Sequence, residues 1–485
     1  MVAGVGVERA ARLMTEGGDA RLTLDPATGL NRYYSAPLPS EALAYASSTA
    51  NDISAQAYAR VEALLAEIGG EPAPEVYAER LESLRTRIRR AYGVADEVEI
   101  VFAPSGTDLE YVALAAVKGR APGSTHAILL GADEVGSGCI HSAHGLYFAN
   151  ETALDTAVTP GAPVPGLGGV HVEMVDIAVR DRMGRVRPSH YIAERMRASV
   201  GAAAAASRHS LVHIVHGSKT GLILPALADV DRLIAAHGAR ATLVVDACQA
   251  RITAQAVGAY LERDAIIFVT GSKFMGGPPF SGFALVPPAL AEAAPPLPEG
   301  FATIFRRAEW PAGWPGADDL PDSTNLGLLL RLEASIFELE RFQALAPAQV
   351  ERIILAFHAA VRAGIVEQSE ARRVAPYPPG QIEDADSHPI EMRTLSTLDL
   401  SAAGATLEDA QEWHKAMALA GVRVGQPVKC VRLPDGQWGA TLRIGLNMWQ
   451  IADKAGLGDE ALTAAFAADM ERIRAALARV QAGGQ

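Results

Sequence analysis

Seven short runs of β-branched and other apolar residues recur between residues 98 and 286, separated by longer helix-forming stretches. They are VEIVFA (98–103), AILL (127–130), VHVEMV (170–175), LVHIV (211–215), TLVVD (242–246), AIIFV (265–269) and GFALV (282–286). Several are apolar at every position, the pattern of strands buried between two helix layers rather than of half-exposed strands, which alternate. Strand and helix in alternation specify an α/β domain with a mainly parallel sheet. In such sheets a ligand collects beyond the carboxyl ends of the strands. The polar residues that follow each run are therefore the candidates for chemistry.

A chain of 485 residues exceeds one ordinary core and is expected to divide. Residues 1–90 read as a loop-rich arm followed by helices over Ser54–Ile68 and Pro74–Tyr92, where apolar residues recur at helical spacing. A large sheet domain spans 91–345 and a smaller C-terminal domain 346–485. Between 287 and 323 the chain is rich in Pro, Gly and Trp. It reads as an ordered loop, because Phe301, Ile304, Phe305, Trp310 and Trp314 need burial. A helix is predicted over 326–345 and another over 458–481, with strand-like VRVGQPVKCVRLP and GATLRIGLN between them.

The net charge of −13 argues against a nucleic-acid partner, which would call for a basic face. Three cysteines are too few for a disulfide framework, and a reducing cytoplasm is the expected setting. The first twenty residues lack the apolar core of a signal peptide, and no membrane association is expected from any run of apolar residues.

Five polar motifs sit at or near the ends of predicted strands. In APSGTD (103–108), Ser105, Gly106 and Thr107 form a tight turn into a helix, where free N–H groups and the helix dipole favour an anion such as phosphate. In VVDACQ (244–249), Asp246 ends an apolar strand and needs a partner, since burying a bare carboxylate is costly. In VTGSKFMGGPP (269–279), Lys273 follows a strand directly, between Thr270, Ser272 and a Gly/Pro-rich loop, a setting suited to a covalent lysine. HGSKTG (216–221) brings His216 and the rival lysine Lys219 to the same edge. Arg443, in the strand ATLRIGLN, is of the type that clamps a carboxylate bidentately. Each has an ordinary reading too: a capped helix, an N-cap aspartate, a solvated loop lysine, a polar turn, a structural ion pair.

Taken in order, strand–SGT–helix, HGxxTG, VDACQ and TGSK with its Gly/Pro loop resemble the class V aminotransferase group of fold-type I enzymes dependent on pyridoxal 5′-phosphate (PLP). Cysteine desulfurases and alanine–glyoxylate aminotransferases belong to that group. The resemblance covers residues 98–290, with weaker support from Thr324, Asn325 and Arg443. It implies an aspartate aminotransferase-like architecture: a large three-layer α/β/α domain with a mainly parallel sheet, and a smaller α+β C-terminal domain. It implies PLP as cofactor, held by Lys273 as a Schiff base, with Asp246 on the pyridine nitrogen and Gln249 on the phenolic oxygen. Ser105, Gly106, Thr107, Thr270 and Ser272 would surround the phosphate, and His216 would line the same edge. Thr324 would reach the phosphate of a neighbouring subunit in a homodimer, and Arg443 would take the α-carboxylate of an amino acid or amine substrate. The sequence departs from the group near Glu134 and Val135, where a ring usually stacks on the cofactor; His141 and His144 are the nearest alternatives.

Transamination needs only these residues and is the first reading of the reaction. A carbon–sulfur or β-eliminating lyase is the second, and carbon–carbon chemistry the third. Desulfuration would need a mobile thiol, yet Cys430 lies among strand-forming residues and Cys248 beside Asp246. A cofactor-free binding protein on the same fold would have no use for Lys273, Asp246 and Gln249. A dinucleotide-binding or P-loop protein is disfavoured, since neither G-x-G-x-x-G nor a Walker motif follows the first strand. No metal-ligand spacing is present.

Overall fold

The computed structural model describes residues 9–136, 138–167, 172–376 and 390–483. Its strands are β1 (Leu43–Tyr45), β2 (Glu99–Ala103), β3 (Thr125–Leu130), β4 (Val172–Ile177), β5 (His209–His216), β6 (Ile223–Leu224), β7 (Ala241–Asp246), β8 (Ile266–Thr270), β9 (Gly282–Val286), β10 (Arg372–Arg373), β11 (Leu395–Asp399), β12 (Val422–Val424) and β13 (Thr441–Gly445). All seven runs predicted from the sequence are strands; positions 170 and 171 of the third lie outside the described residues.

The central sheet has the order β2-β9-β8-β7-β5-β3-β4, with the short β6 paired to β5. The pairs β3–β4, β3–β5, β5–β7 and β7–β8 are parallel, and β9 is antiparallel to both its neighbours. The reason lies in the connections. Helices join the parallel strands, whereas residues 271–281 between β8 and β9 hold no helix. A parallel crossover needs a dozen residues or more and usually a helix. The chain therefore turns straight back, and the turn carries Lys273. Strands β3, β5, β8 and β9 are buried at every position, as two helix layers require.

The helices start and stop where the sequence signals it. Ser54 accepts a hydrogen bond from the Ala57 N–H at the head of helix Ala55–Ile68. Gly93, left-handed at φ 61°, ends helix Pro74–Tyr92. Both pack on helix Leu326–Gln343. The nine residues of helix Leu109–Val117 are all buried, because the Trp-rich segment covers the face turned from the sheet. Phe301, Ile304, Phe305, Trp310 and Trp314 belong to that second core, on a segment that contains three short 3-10 turns.

In the C-terminal part β10, β11 and β13 form a small antiparallel sheet; helix Leu407–Leu419 packs on β13 and on helix Asp459–Ala482, which in turn packs on helix Pro347–Gly364. The N-terminal strand β1 pairs in parallel with β12, so the arm is stitched to the C-terminal part before its helices return to the large domain. A three-residue strand leaves no periodic trace in the sequence. No single helix among the described residues is long and apolar enough to cross a membrane.

Candidate active site

The carboxyl ends of β2, β5, β7 and β8 meet β13 and the N-terminal arm around one cavity of about 270 Å³. Ser105, Gly106, Thr107, Asp246, Gln249, Thr270, Ser272, Lys273 and Arg443 all line it, as does Lys219.

The turn after β2 lies hard against the ends of its neighbours. A Cβ on Gly106 would stand 2.8 Å from Thr270 Cγ2 and 3.2 Å from Cys248 Sγ, so only glycine fits. The side chains here divide their work differently from the expectation. Ser105 was expected to offer its hydroxyl to an anion; instead it donates to Asp108 at 2.5 Å, and its N–H does so at 3.0 Å. Burial pushes the Asp108 carboxyl up to about 7, against the opposing pull of Ser105 and Arg21. The Thr270 hydroxyl is likewise spent on the Cys248 carbonyl, at 2.7 Å. The Thr107 hydroxyl, the Ser272 hydroxyl and the N–H groups of Gly106 and Thr107 remain as donors facing the cavity.

Asp246 ends β7 half-buried, with one carboxylate oxygen accepting the Cys248 N–H at 2.9 Å. No cation of the described chain pairs with it. Gln249 donates to the Ser48 carbonyl at 3.3 Å and accepts from the buried Arg251 at 2.7 Å, which fixes its amide at the cavity wall.

Lys273 sits on a turn held from several sides. Cβ atoms on Gly271 and Gly277 would fall 2.2 and 2.0 Å from Ser335 atoms, so glycine alone lets the turn rest on helix Leu326–Gln343. Asn51 of the arm donates to the carbonyls of Ser272 and Lys273 at 3.0 and 2.8 Å. The Met448 N–H takes the next carbonyl, Phe274, at 2.7 Å. The backbone is thus fixed while the side chain reaches into the cavity.

Arg443 is 2% exposed, yet every partner it has is neutral. It donates to the carbonyls of Gln426, Ser48 and Lys219 at 2.8, 3.3 and 3.1 Å, and to the Thr49 hydroxyl at 3.2 Å. Burial lowers its pKa to about 10. The fully buried Arg251 and Arg331 also have only neutral partners; Arg443 differs from them in lining the cavity, and the charge of Glu134 offsets its desolvation only in part. That position suits a carboxylate that arrives with a ligand.

Two expected residues stand elsewhere. His216 ends β5 but does not line the cavity; its Nδ1 meets the Tyr260 hydroxyl at 3.0 Å, with the rings edge to face. Thr324 is half-buried ahead of helix Leu326–Gln343, outside the cavity of its own chain. Where the resemblance implies a stacked ring, Glu134, Val135 and Gly136 line the cavity, and neither His141 nor His144 does. Glu134 is buried and fully engaged. Arg180 grips one oxygen at 2.7 and 2.9 Å, while the hydroxyls of Ser218 and Thr220 reach the other at 2.7 and 2.9 Å. Burial alone would raise this carboxyl, but Arg180 and the two hydroxyls outweigh it and hold it below the usual carboxylate range.

Residues of the arm and of the loop after β12 complete the wall: Arg21, Tyr33, Ser48, Thr49 and Gln426. No local motif marks them. Arg21 is bound bidentately by Asp19 and lies over the Phe148 and Phe280 rings. All three cysteines are described. Burial pushes the thiols of Cys139 and Cys248 well above their ordinary value and that of Cys430 to about 12. Cys430 does not reach the cavity.

No protein-family model matches the chain, and no curated protein matches it. Solved structures do. A NifS-like protein superposes with a TM-score of 0.55 at 14% identity, covering 90% of this chain and 99% of its own. A C-DES variant with glycine covalently linked to its PLP cofactor gives 0.55 at 13% identity, with 89% and 97% covered. Ureidoglycine–glyoxylate aminotransferase from Bacillus subtilis gives 0.53 at 12% identity, with 90% and 99% covered. The likeness runs along nearly the whole of each chain and agrees with the sheet described above: this protein has the α/β architecture of fold type I.

Proposed function

We propose that the protein is a PLP-dependent enzyme acting on an amino acid or amine, and that its reaction is transamination. One observation carries the reading: a single cavity gathers Lys273, Asp246, a glycine turn with free N–H donors, and an Arg443 whose direct partners are all neutral. These residues fit the cofactor. Gly106 lets the turn after β2 lie close against Thr270 and Cys248, and it lines the cavity itself. Asp246 has an acceptor face without a cationic partner, suited to a protonated ring nitrogen. When bound, PLP supplies an electron sink for a carbanion at the substrate Cα.

The chain's own part is positioning and proton transfer. Lys273 would hold the cofactor covalently and later carry a proton between the substrate Cα and the cofactor C4′ carbon. Asp246 would keep the ring nitrogen protonated. Gly106, Thr107 and Ser272 would hold the phosphate, joined in a homodimer by Thr324 of the partner subunit. Arg443 would fix the α-carboxylate, and so set which Cα bond stands in line with the ring. Cysteine-based desulfuration has less support, since a reactive thiolate needs a depressed pKa and all three thiols are raised.

The test is chemical trapping. Protein incubated with PLP is reduced with borohydride, digested and mapped by mass. The cofactor is expected on Lys273, and Lys273→Ala should take up none and turn over no amino acid. Cofactor on Lys219, or on no lysine, would overturn the reading. Formation of a 2-oxo acid matched by amination of an added acceptor separates transamination from elimination.

A further inference from the structure

Six charged residues line the cavity: Arg21, Glu134, Lys219, Asp246, Lys273 and Arg443. Four of them are accounted for. Arg21 is paired with Asp19 and Glu134 with Arg180. Under the function proposed above, Asp246 answers the ring nitrogen and Lys273 carries the cofactor. Lys219 and Arg443 are left, and they are neighbours: an Arg443 Nη1 N–H donates to the Lys219 carbonyl at 3.1 Å. The Lys219 ammonium reaches only a neutral acceptor, the Asp133 carbonyl at 3.2 Å. Among the described residues neither cation has a carboxylate partner.

The turn that carries Lys219 is built to hold it there. Gly217 and Gly221 adopt φ of +83° and +86°, which glycine alone accepts without strain. Glu134 clamps the residues between them through the Ser218 and Thr220 hydroxyls and the Thr220 N–H, and its own carbonyl takes the Lys219 N–H at 3.0 Å. Burial and the positive charges of Arg443 and Lys273 outweigh the opposing charge of Glu134 and bring the Lys219 pKa down to about 8. An anion seated against it would reverse part of that cost. One substrate carboxylate accounts for Arg443 and leaves Lys219 unexplained.

We propose that Lys219 and Arg443 together select a substrate with two anionic groups, an amino dicarboxylic acid or its 2-oxo acid, Arg443 taking the α-carboxylate and Lys219 the distal one. The inference rests on the PLP reading for the roles of Asp246 and Lys273. Lys219 is a specificity-determining residue in this scheme, and the cofactor lysine is a different residue of the same cavity.

The test is calorimetric, with a pair of unreactive five-carbon acids, glutarate and pentanoate, titrated into PLP-treated wild type, Lys219→Met and Lys219→Arg. Wild type is expected to bind glutarate more tightly than pentanoate. Lys219→Met should shrink that ratio by about tenfold to a hundredfold, the range for one hydrogen bond to a charged group. Lys219→Arg should keep most of it. The preference should also fade as pH rises through about 8, as Lys219 loses its proton among Arg443, Lys273, Glu134 and Cys139. A wild type that binds both acids equally, or a Lys219→Met that loses affinity for both in proportion, overturns the inference. Should Lys219→Met fail to fold, the wild-type ratio and Lys219→Arg decide it. Borohydride mapping of the same samples reports cofactor loading separately. Loading without glutarate preference sinks only this inference, and absent loading sinks the PLP reading.

Discussion

Asn51 offers the sharpest test of how the lysine turn is held. Its amide donates to the carbonyls of Ser272 and Lys273, and its oxygen accepts the Asn447 amide at 2.9 Å. Asn51→Ala leaves the Ser272 carbonyl and the Asn447 amide without a partner, while the Lys273 carbonyl keeps the Gly276 N–H at 3.0 Å; Asn51, Ser272 and Asn447 are all buried. A buried polar group stripped of its hydrogen bond costs about 1–3 kcal/mol. The turn borders a cavity from which water can replace part of the loss, so the sum falls at about 2–5 kcal/mol, a large share of the roughly 5–15 kcal/mol that stabilises a typical domain. The turn should also lose its order before the fold does. If reordering it on cofactor binding costs about 1–3 kcal/mol, PLP affinity drops about fivefold to a hundredfold. Urea unfolding followed by tryptophan fluorescence measures the first quantity and a PLP absorbance titration the second. A double-mutant cycle with Asn447→Ala should show non-additivity of about 0.5–3 kcal/mol, because the two amides share a bond. An Asn51→Ala protein with wild-type unfolding midpoint and wild-type PLP affinity would show that the turn is rigid for other reasons, and that the glycines packed on Ser335 suffice.

Two further outcomes follow from the electrostatics. Glu134→Leu strands Arg180 in a buried site and should cost about 3–5 kcal/mol. Because the folded state depresses the Glu134 pKa, its contribution is present above the unfolded value of about 4.3 and lost as pH falls through the folded one. The gap between the urea midpoints of wild type and Glu134→Leu should therefore narrow in acid, and a gap that widens there would contradict the assignment. The three raised thiols should resist iodoacetamide in the native protein at neutral pH, and all should label once it is unfolded. Rapid native labelling of one cysteine would return cysteine-based desulfuration to consideration.

What the sequence revealed and what it hid divide along a physical line. Strands buried on both faces announce themselves locally, because each must be apolar throughout. The seven runs between 98 and 286 are therefore readable, and so are the motifs that close them. The order in which strands pair is a tertiary fact. Nothing in LAY (43–45) says that it will meet VRV (422–424), yet beyond that pairing the arm brings Ser48 and Thr49 to the cavity and Asn51 to the lysine turn. Side-chain direction is hidden for the same reason. Ser105 and Thr107 look alike as anion donors until Asp108 captures one of them, and His216 ends the right strand but turns to Tyr260.

The two lysines show where the distinction has chemical weight. Local sequence gives both a strand end and a small polar turn, and it separates them by the Gly/Pro loop after Lys273 and the Asp246-bearing strand before it. The fold separates them by support. Residues from three distant segments fix the Lys273 backbone, through Asn51, Ser335 and Met448. Lys219 is instead fixed by Glu134, and it shares its carbonyl with the one arginine in the cavity that has no carboxylate. A lysine that must form and break a covalent bond in register needs a rigid backbone. A lysine that meets a substrate carboxylate needs an uncompensated charge beside another. Each of the two residues has the surroundings that the task proposed for it requires.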